Sequence, residues 1–197
     1  VRGLGGGTGS VSVRGAKAGY EVIGVDLAPD MLAVARQKAQ AAGQDILLLC
    51  QDIRAIDLYG TVRAAVCTLD SLNHLPDAAA VREALRRVAL FLEPGGLFLF
   101  DVNTPYKHRE ILGNNTFVYD TDEVYCVWQN TALSDDTVQM DLDFFFPDEA
   151  QEVVYVRECE QITEREYTGA EWEEMLPDTC CRFLSGNACV SGNTMFV

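Results

Sequence analysis

The sequence predicts an α/β protein: a doubly wound, mostly parallel sheet with a small antiparallel sheet inserted toward its C-terminal end. Three observations predict it. Short apolar runs alternate with helical patterns through the first hundred residues. A glycine-rich turn separates the first apolar run from the first helix. After Pro105 the pattern changes to aromatic and β-branched residues, several in polar/apolar alternation, as in the run VQMDLDF.

The elements follow in order. Residues 1–4 read as the end of a strand, and residues 10–18 as a helix. Residues 21–25 (EVIGV) form a second strand. Residues 29–42 form a helix, with Pro29 at its first position and Gly43 past its end. Residues 46–50 (ILLLC) are an unbroken apolar run, as expected of a strand buried on both faces. Residues 64–68 make a fourth strand. Residues 77–92 make a strong helix with Val81, Leu85, Val88 and Leu92 on one face. Pro94, Gly95 and Gly96 turn the chain into a fifth strand, residues 97–102 (LFLFDV). Residues 116–119, 124–130, 137–146 and 152–166 are the strands of the antiparallel sheet, with a hairpin turn at Ser134, Asp135 and Asp136. Thr168 and Glu171 have the spacing of a capping box and open a short helix that Pro177 ends. Residues 178–197 are weakly patterned. The expected organisation is a core over 1–103, an insertion over 104–166, and a degenerate return to the core over 167–197.

Composition narrows the function classes. The chain has 197 residues, 48% of them hydrophobic, and a mean hydropathy of +0.02, so a packed core is expected. No apolar run approaches the ~20 residues of a membrane span. The seven cysteines are odd in number and form no C-x-x-C pair, so neither a metal site nor a disulfide framework is expected. Cys50 and Cys67, inside apolar runs, read as small core fillers. A reducing, cytoplasmic setting is expected, and the start at Val1 reads as a fragment. Residues 1–100 hold ten basic and ten acidic side chains, whereas residues 101–197 hold five and twenty and carry the whole net charge of −15. Such a surface repels a polyanion, which argues against a nucleic-acid substrate. It favours a cationic one or simply keeps the chain in solution.

The main motif is the run LGGGTGS, residues 4–10, between the first strand and first helix. Its glycines let a ligand approach the backbone, and the helix start offers unpaired N–H groups to an anion. Asp26 closes the second strand 17 residues after Gly9. Strands one and two are neighbours in such folds, so an acid there reaches the ribose hydroxyls of a nucleoside ligand. Gly5, Gly7 and Gly9 fit G-x-G-x-G. They do not fit the dinucleotide pattern G-x-G-x-x-G, whose third position falls on Ser10 or Ser12.

These stretches (LGGGTGS, EVIGVDLAPDML, QDI and LEPGGLFLFD) resemble the class I S-adenosylmethionine-dependent methyltransferases. The likeness is closest to the small bacterial members with a β-rich insertion after strand five, and it covers residues 1 to about 175. It implies a Rossmann-like sheet of seven strands with the last antiparallel, and S-adenosylmethionine as cofactor. It implies that Gly5, Gly7 and Gly9 pass beneath the methionine and ribose, and that Asp26 binds the ribose hydroxyls. Leu27 and Met31 would line the adenine, Asp52 would bind its amino group, and Ile53 would pack on the ring. Leu69 and Asp70 would sit at the methionine end. Two positions depart from the family: Gly3 stands where an acid usually helps hold the methionine amino group, and Gly15 stands where a core aliphatic is usual.

The expected activity is in-line methyl transfer to a small molecule, cationic or an amine. A general base for the acceptor is sought after strand four and in the insertion. His74, in SLNHLPD, is the candidate, ahead of Asp101, Tyr106, Tyr125 and Trp128. His108 reads as a surface residue, and Tyr125 and Trp128 as candidate pocket walls. Two other readings compete: a nicotinamide-dependent oxidoreductase, and a non-catalytic protein whose acidic sheet serves as a homodimer or partner surface.

Overall fold

The computed structural model describes residues 2–4, 6–133, 136–148, 154–176, 186–188 and 193–196. Its main sheet has seven strands. These are β1 (Arg2–Leu4), β2 (Ile23–Asp26), β3 (Leu47–Cys50), β4 (Val62–Cys67), β5 (Leu92–Asn103), β10 (Gly186–Ala188) and β11 (Asn193–Phe196), in the order β10-β11-β5-β4-β1-β2-β3. Strands β1 to β5 pair in parallel, β11 runs antiparallel to β5, and β10 antiparallel to β11. The C-terminal residues expected to be degenerate thus supply two sheet strands. Strand order reverses between β1 and β4, and the crevice at such a reversal is where open α/β sheets bind ligands.

Helices α1 (Ser10–Lys17), α2 (Pro29–Ala41) and α3 (Ala78–Phe91) connect the parallel strands. Pro29 starts α2 where its missing N–H costs nothing. Asp77 caps α3 by accepting from the Ala80 N–H at 2.8 Å. Val81, Leu85 and Val88 bury the inner face of α3. Leu92, expected on that face, instead opens β5 opposite Val62, and the ladder resumes at Ala64 and Leu97 past the Pro94–Gly96 turn. Strand β3 is also corrected. Among the described residues it is the sheet edge and pairs with β2 alone, so Leu47 is half exposed and Cys50 is exposed rather than a core filler. Cys67, in β4, is buried as expected, and burial pushes its thiol up to about 12. Cys180, Cys181 and Cys189 lie outside the described residues.

The inserted sheet runs in chain order: β6 (Thr116–Asp120), β7 (Tyr125–Ala132), β8 (Thr137–Pro147) and β9 (Tyr155–Arg165). All its pairings are antiparallel. Between β7 and β8 the Leu133 N–H donates to the Thr137 carbonyl at 2.7 Å; Ser134 and Asp135 of the expected turn lie outside the described residues. Leu112, Val138 and Met140 form its small core with Phe117, Trp128 and Ile162. The chain then returns through α4 (Gly169–Met175), opened by the predicted capping box of Thr168 and Glu171. Trp172 of α4 is fully buried against Phe100 of β5, with ring centroids 5.6 Å apart, and joins the main core. Pro177 lies outside the described residues.

Candidate active site

The loops at the carboxyl ends of β1, β2, β3 and β4 share one edge of the sheet. After β1, Gly7 and Gly9 have φ of 48° and 76°, in the left-handed region that favours glycine. A Cβ at Gly9 would lie 2.7 Å from the Ala35 Cβ, so glycine also lets α2 pack against the loop. Gly5 lies outside the described residues. Asp26, the last residue of β2, accepts from the Gly7 N–H at 2.7 Å through Oδ2 and from the Ala28 N–H at 2.9 Å through Oδ1. The carboxylate therefore ties two adjacent loops together.

Around it stand apolar side chains with little cover. Leu27, Met31 and Leu69 are 66%, 45% and 77% exposed, which is unusual for large apolar groups at adjacent loops of one edge. Met31 is thus not a core residue. Ile53 is partly buried against the main core. Asp52 caps the 3₁₀ turn Ile53–Ala55, and its carboxylate grips the Arg54 guanidinium. That hydrogen bond, against a smaller effect of burial, holds Asp52 below the usual carboxylate range.

After β4 the backbone is strained. Leu69 and Asp70 have φ of 61° and 48°, conformations that cost non-glycine residues ~1–3 kcal/mol and persist where the surroundings enforce them. The Asp70 N–H donates to Asp101 Oδ1 at 3.2 Å. Asp70 then faces a polar cluster that joins the core to the insertion. His74 Nε2 lies 3.8 Å from Asp70 Oδ1 and 3.5 Å from Glu164 Oε1, and Lys107 Nζ lies 3.8 Å from Asp70 Oδ2. Donor atoms of Asp70, His74 and Glu164 all fall within 4.8 Å of one another. Burial, then the charge of Glu164, pushes the Asp70 carboxyl up. Burial acts the same way on Glu164, but His108, His74 and Asn103 outweigh it and hold that carboxyl below its ordinary value.

A buried hydrogen-bond clamp builds this cluster. Asn73 is fully buried; its Oδ1 accepts from the Asn103 N–H at 2.9 Å, and its Nδ2 donates to the Arg165 carbonyl at 2.8 Å. The Arg165 N–H returns a bond to the Asn73 carbonyl at 2.9 Å. Asn103 Nδ2 donates to Glu164 Oε2 at 2.5 Å, and His108 Nε2 lies 3.0 Å from the same oxygen. His108 is therefore buried, not a surface residue: a π-helical turn (Lys107–Leu112) directs it inward, while Arg109 pairs with Glu166. Asn73, Asn103, Lys107, His108 and Glu164 were not read as a site from sequence. The polar SLNH and VNT interruptions at strand ends were the available signal for the asparagines. Tyr125 and Trp128 stand apart from this cluster. Tyr125 is level with Arg157 of β9, seven residues and so about 23 Å along the strand from Glu164. Trp128 packs on Phe117 in the insertion's own core.

A glycine loop beside the reversal point of a seven-stranded sheet, with a carboxylate ending the neighbouring strand, is the arrangement of a nucleoside-cofactor-binding α/β protein. Comparison with known proteins narrows this. Residues 1–96 match the methyltransferase domain family. Bacillus subtilis YqeM, named as a methyltransferase, is 39% identical over 173 residues, covering 86% of this chain and 68% of YqeM. A crystal structure of an S-adenosylmethionine-dependent methyltransferase from Clostridium acetobutylicum superposes with a TM-score of 0.90 at 30% identity, over 99% of this chain and 81% of that one. The S-adenosylmethionine-bound amino pentose methyltransferase CalS10 of Micromonospora echinaspora shares the fold, with a TM-score of 0.76 at 23% identity over 99% of this chain and 80% of that one. The chain belongs to the class I S-adenosylmethionine-dependent methyltransferases. Its cofactor is S-adenosylmethionine, and neither competing reading gains support. Among the described residues, no helix is long and apolar enough to cross a membrane.

Proposed function

We propose that the chain methylates a small molecule through a cationic or amine nitrogen, and that the inserted sheet, residues 104–166, forms one wall of the acceptor site. The observation that carries this is the convergence of Asp70, His74 and Glu164, two carboxylates and an imidazole, on one point at the end of β4. Two partly desolvated carboxylates so close attract a positive charge. Glu164 comes from β9, so the insertion contributes directly to that point.

The residues along the sheet edge fit the cofactor. Asp26 has lone pairs beyond the two that hold the loops, since a carboxylate offers about four acceptor positions, and these suit ribose hydroxyls. Gly5, Gly7 and Gly9 would let the methionine and ribose lie close to the backbone. The exposed side chains of Leu27 and Met31 would cover the adenine, with Ile53 beneath it. Asp52, already bound by Arg54, would use a remaining lone pair for the adenine amino group. Leu69 and Asp70 would border the methionine end, next to the acceptor. Bound S-adenosylmethionine supplies a methyl already activated on sulfur, so the chain's own task is alignment, exclusion of water and removal of the acceptor's proton. His74, 38% exposed and beside both carboxylates, is the group that takes that proton.

The test is turnover with S-adenosylmethionine against a panel of small amines and their hydroxyl counterparts, with S-adenosylhomocysteine as readout. Methylation of amines is expected. Methylation of the hydroxyl compounds alone, or of neither set, contradicts the proposal.

A further inference from the structure

Resting on the amine-acceptor reading, we propose that Glu164 is the positioning residue for His74, holding the imidazole with its proton on Nε2 so that Nδ1 takes the acceptor's proton. The chain has two histidines, and both face this one carboxylate, which is only 4% exposed. The two oxygens do different work. Oε2 is fixed by the Asn103 amide at 2.5 Å and His108 Nε2 at 3.0 Å, which sets the plane of the group. Oε1 is thereby turned toward His74 Nε2 at 3.5 Å. Asp70 Oδ1 lies on the same ring nitrogen at 3.8 Å. At these separations the imidazole faces both carboxylates, and the proposal requires the contacts to tighten into hydrogen bonds once an acceptor is bound.

The backbone holds the two groups in register. Residues 73 and 165 are clamped by two hydrogen bonds, and their chain neighbours are His74 and Glu164. A buried carboxylate at an imidazole N–H fixes the tautomer and makes the other nitrogen more basic. His108 is 1% exposed and serves the carboxylate, whereas His74 is exposed enough to meet a substrate. The proton balance closes within the site. An ammonium N–H bond of the acceptor breaks, its electron pair stays on nitrogen as the nucleophile, and the proton joins the Nδ1 lone pair. The exposed imidazolium then releases a proton to water.

The experiment is acylation of the full chain with diethyl pyrocarbonate, at a pH alkaline enough that the imidazole is unprotonated in every variant and its nitrogen attacks the reagent's carbonyl carbon, followed by mass spectrometry of the peptide containing residue 74. A single adduct at His74 is expected, forming about fivefold more slowly in Glu164→Gln. Glu160→Gln, on the exposed part of β9, should leave the rate unchanged. An equal or faster rate in Glu164→Gln, with the circular dichroism spectrum preserved, overturns the proposal. Nitrogen NMR of the unaltered, histidine-labelled chain supplies a second check that no variant can spoil by misfolding. It should report neutral His74 protonated on Nε2, and a proton on Nδ1 contradicts the proposal. Failure of the amine panel would remove the acceptor reading while leaving the Glu164–His74 arrangement measurable here.

Discussion

Asp26 and Glu164 are both carboxylates at strand ends, yet they are held in opposite ways. Asp26 is fixed by backbone N–H groups of Gly7 and Ala28, all within two adjacent loops. Glu164 is fixed by side chains of Asn103 and His108, 61 and 56 residues away, and faces His74 from the inserted sheet. The proposed cofactor end is thus built from local backbone geometry, which a short motif can encode. The proposed acceptor end is built from side chains gathered across the chain. A site so divided lets acceptor chemistry change by substitution in the insertion while the cofactor cradle stays intact.

Five substitutions test this division, in falling order of expected effect. Asn73→Ala should destabilise the fold by about 3–4 kcal/mol in denaturant unfolding, because it strands buried polar groups of Asn103 and Arg165. Asp26→Ala should cost about 3 kcal/mol of cofactor binding, roughly a hundredfold in a calorimetric titration, while leaving the insertion folded. An equal loss of affinity from Asn73→Ala would break the separation of the two ends. Gly9→Ala should cost about 2 kcal/mol of stability, from its positive φ and the collision with Ala35. Asp70→Asn should raise thermal stability at neutral pH while weakening amine binding. Asp70's folded pKa is raised, so its ionisation opposes folding above 3.8, and the gain from the amide should vanish in acid. Glu164 has the reverse sign. Its folded pKa is lowered, so its contribution is present above 4.5 and is lost as pH falls through the folded value. Unfolding curves across that acid window should therefore be flatter for Glu164→Gln.

The same division explains what the sequence made legible. The start of α2 at Pro29, the capping box at Thr168 and the glycine loop were readable because each signal and its structural effect lie within a few residues. The edge position of β3 was not, because an apolar run states hydrophobicity and not how many neighbours a strand has. His108 was misread because a π-helical turn, invisible in the pattern, points it at Glu164. Nothing in the spacing of His74 and Glu164, 90 residues apart, links them; the Asn73–Arg165 clamp does.

The most direct test of the account is calorimetric titration of the folded chain with S-adenosylmethionine and S-adenosylhomocysteine, with NAD as control. Binding of the first two at one site, lost in Asp26→Ala and retained in Glu164→Gln, is the predicted result. Binding of NAD in their place, or equal loss in both variants, would contradict a cofactor end built separately from the acceptor end.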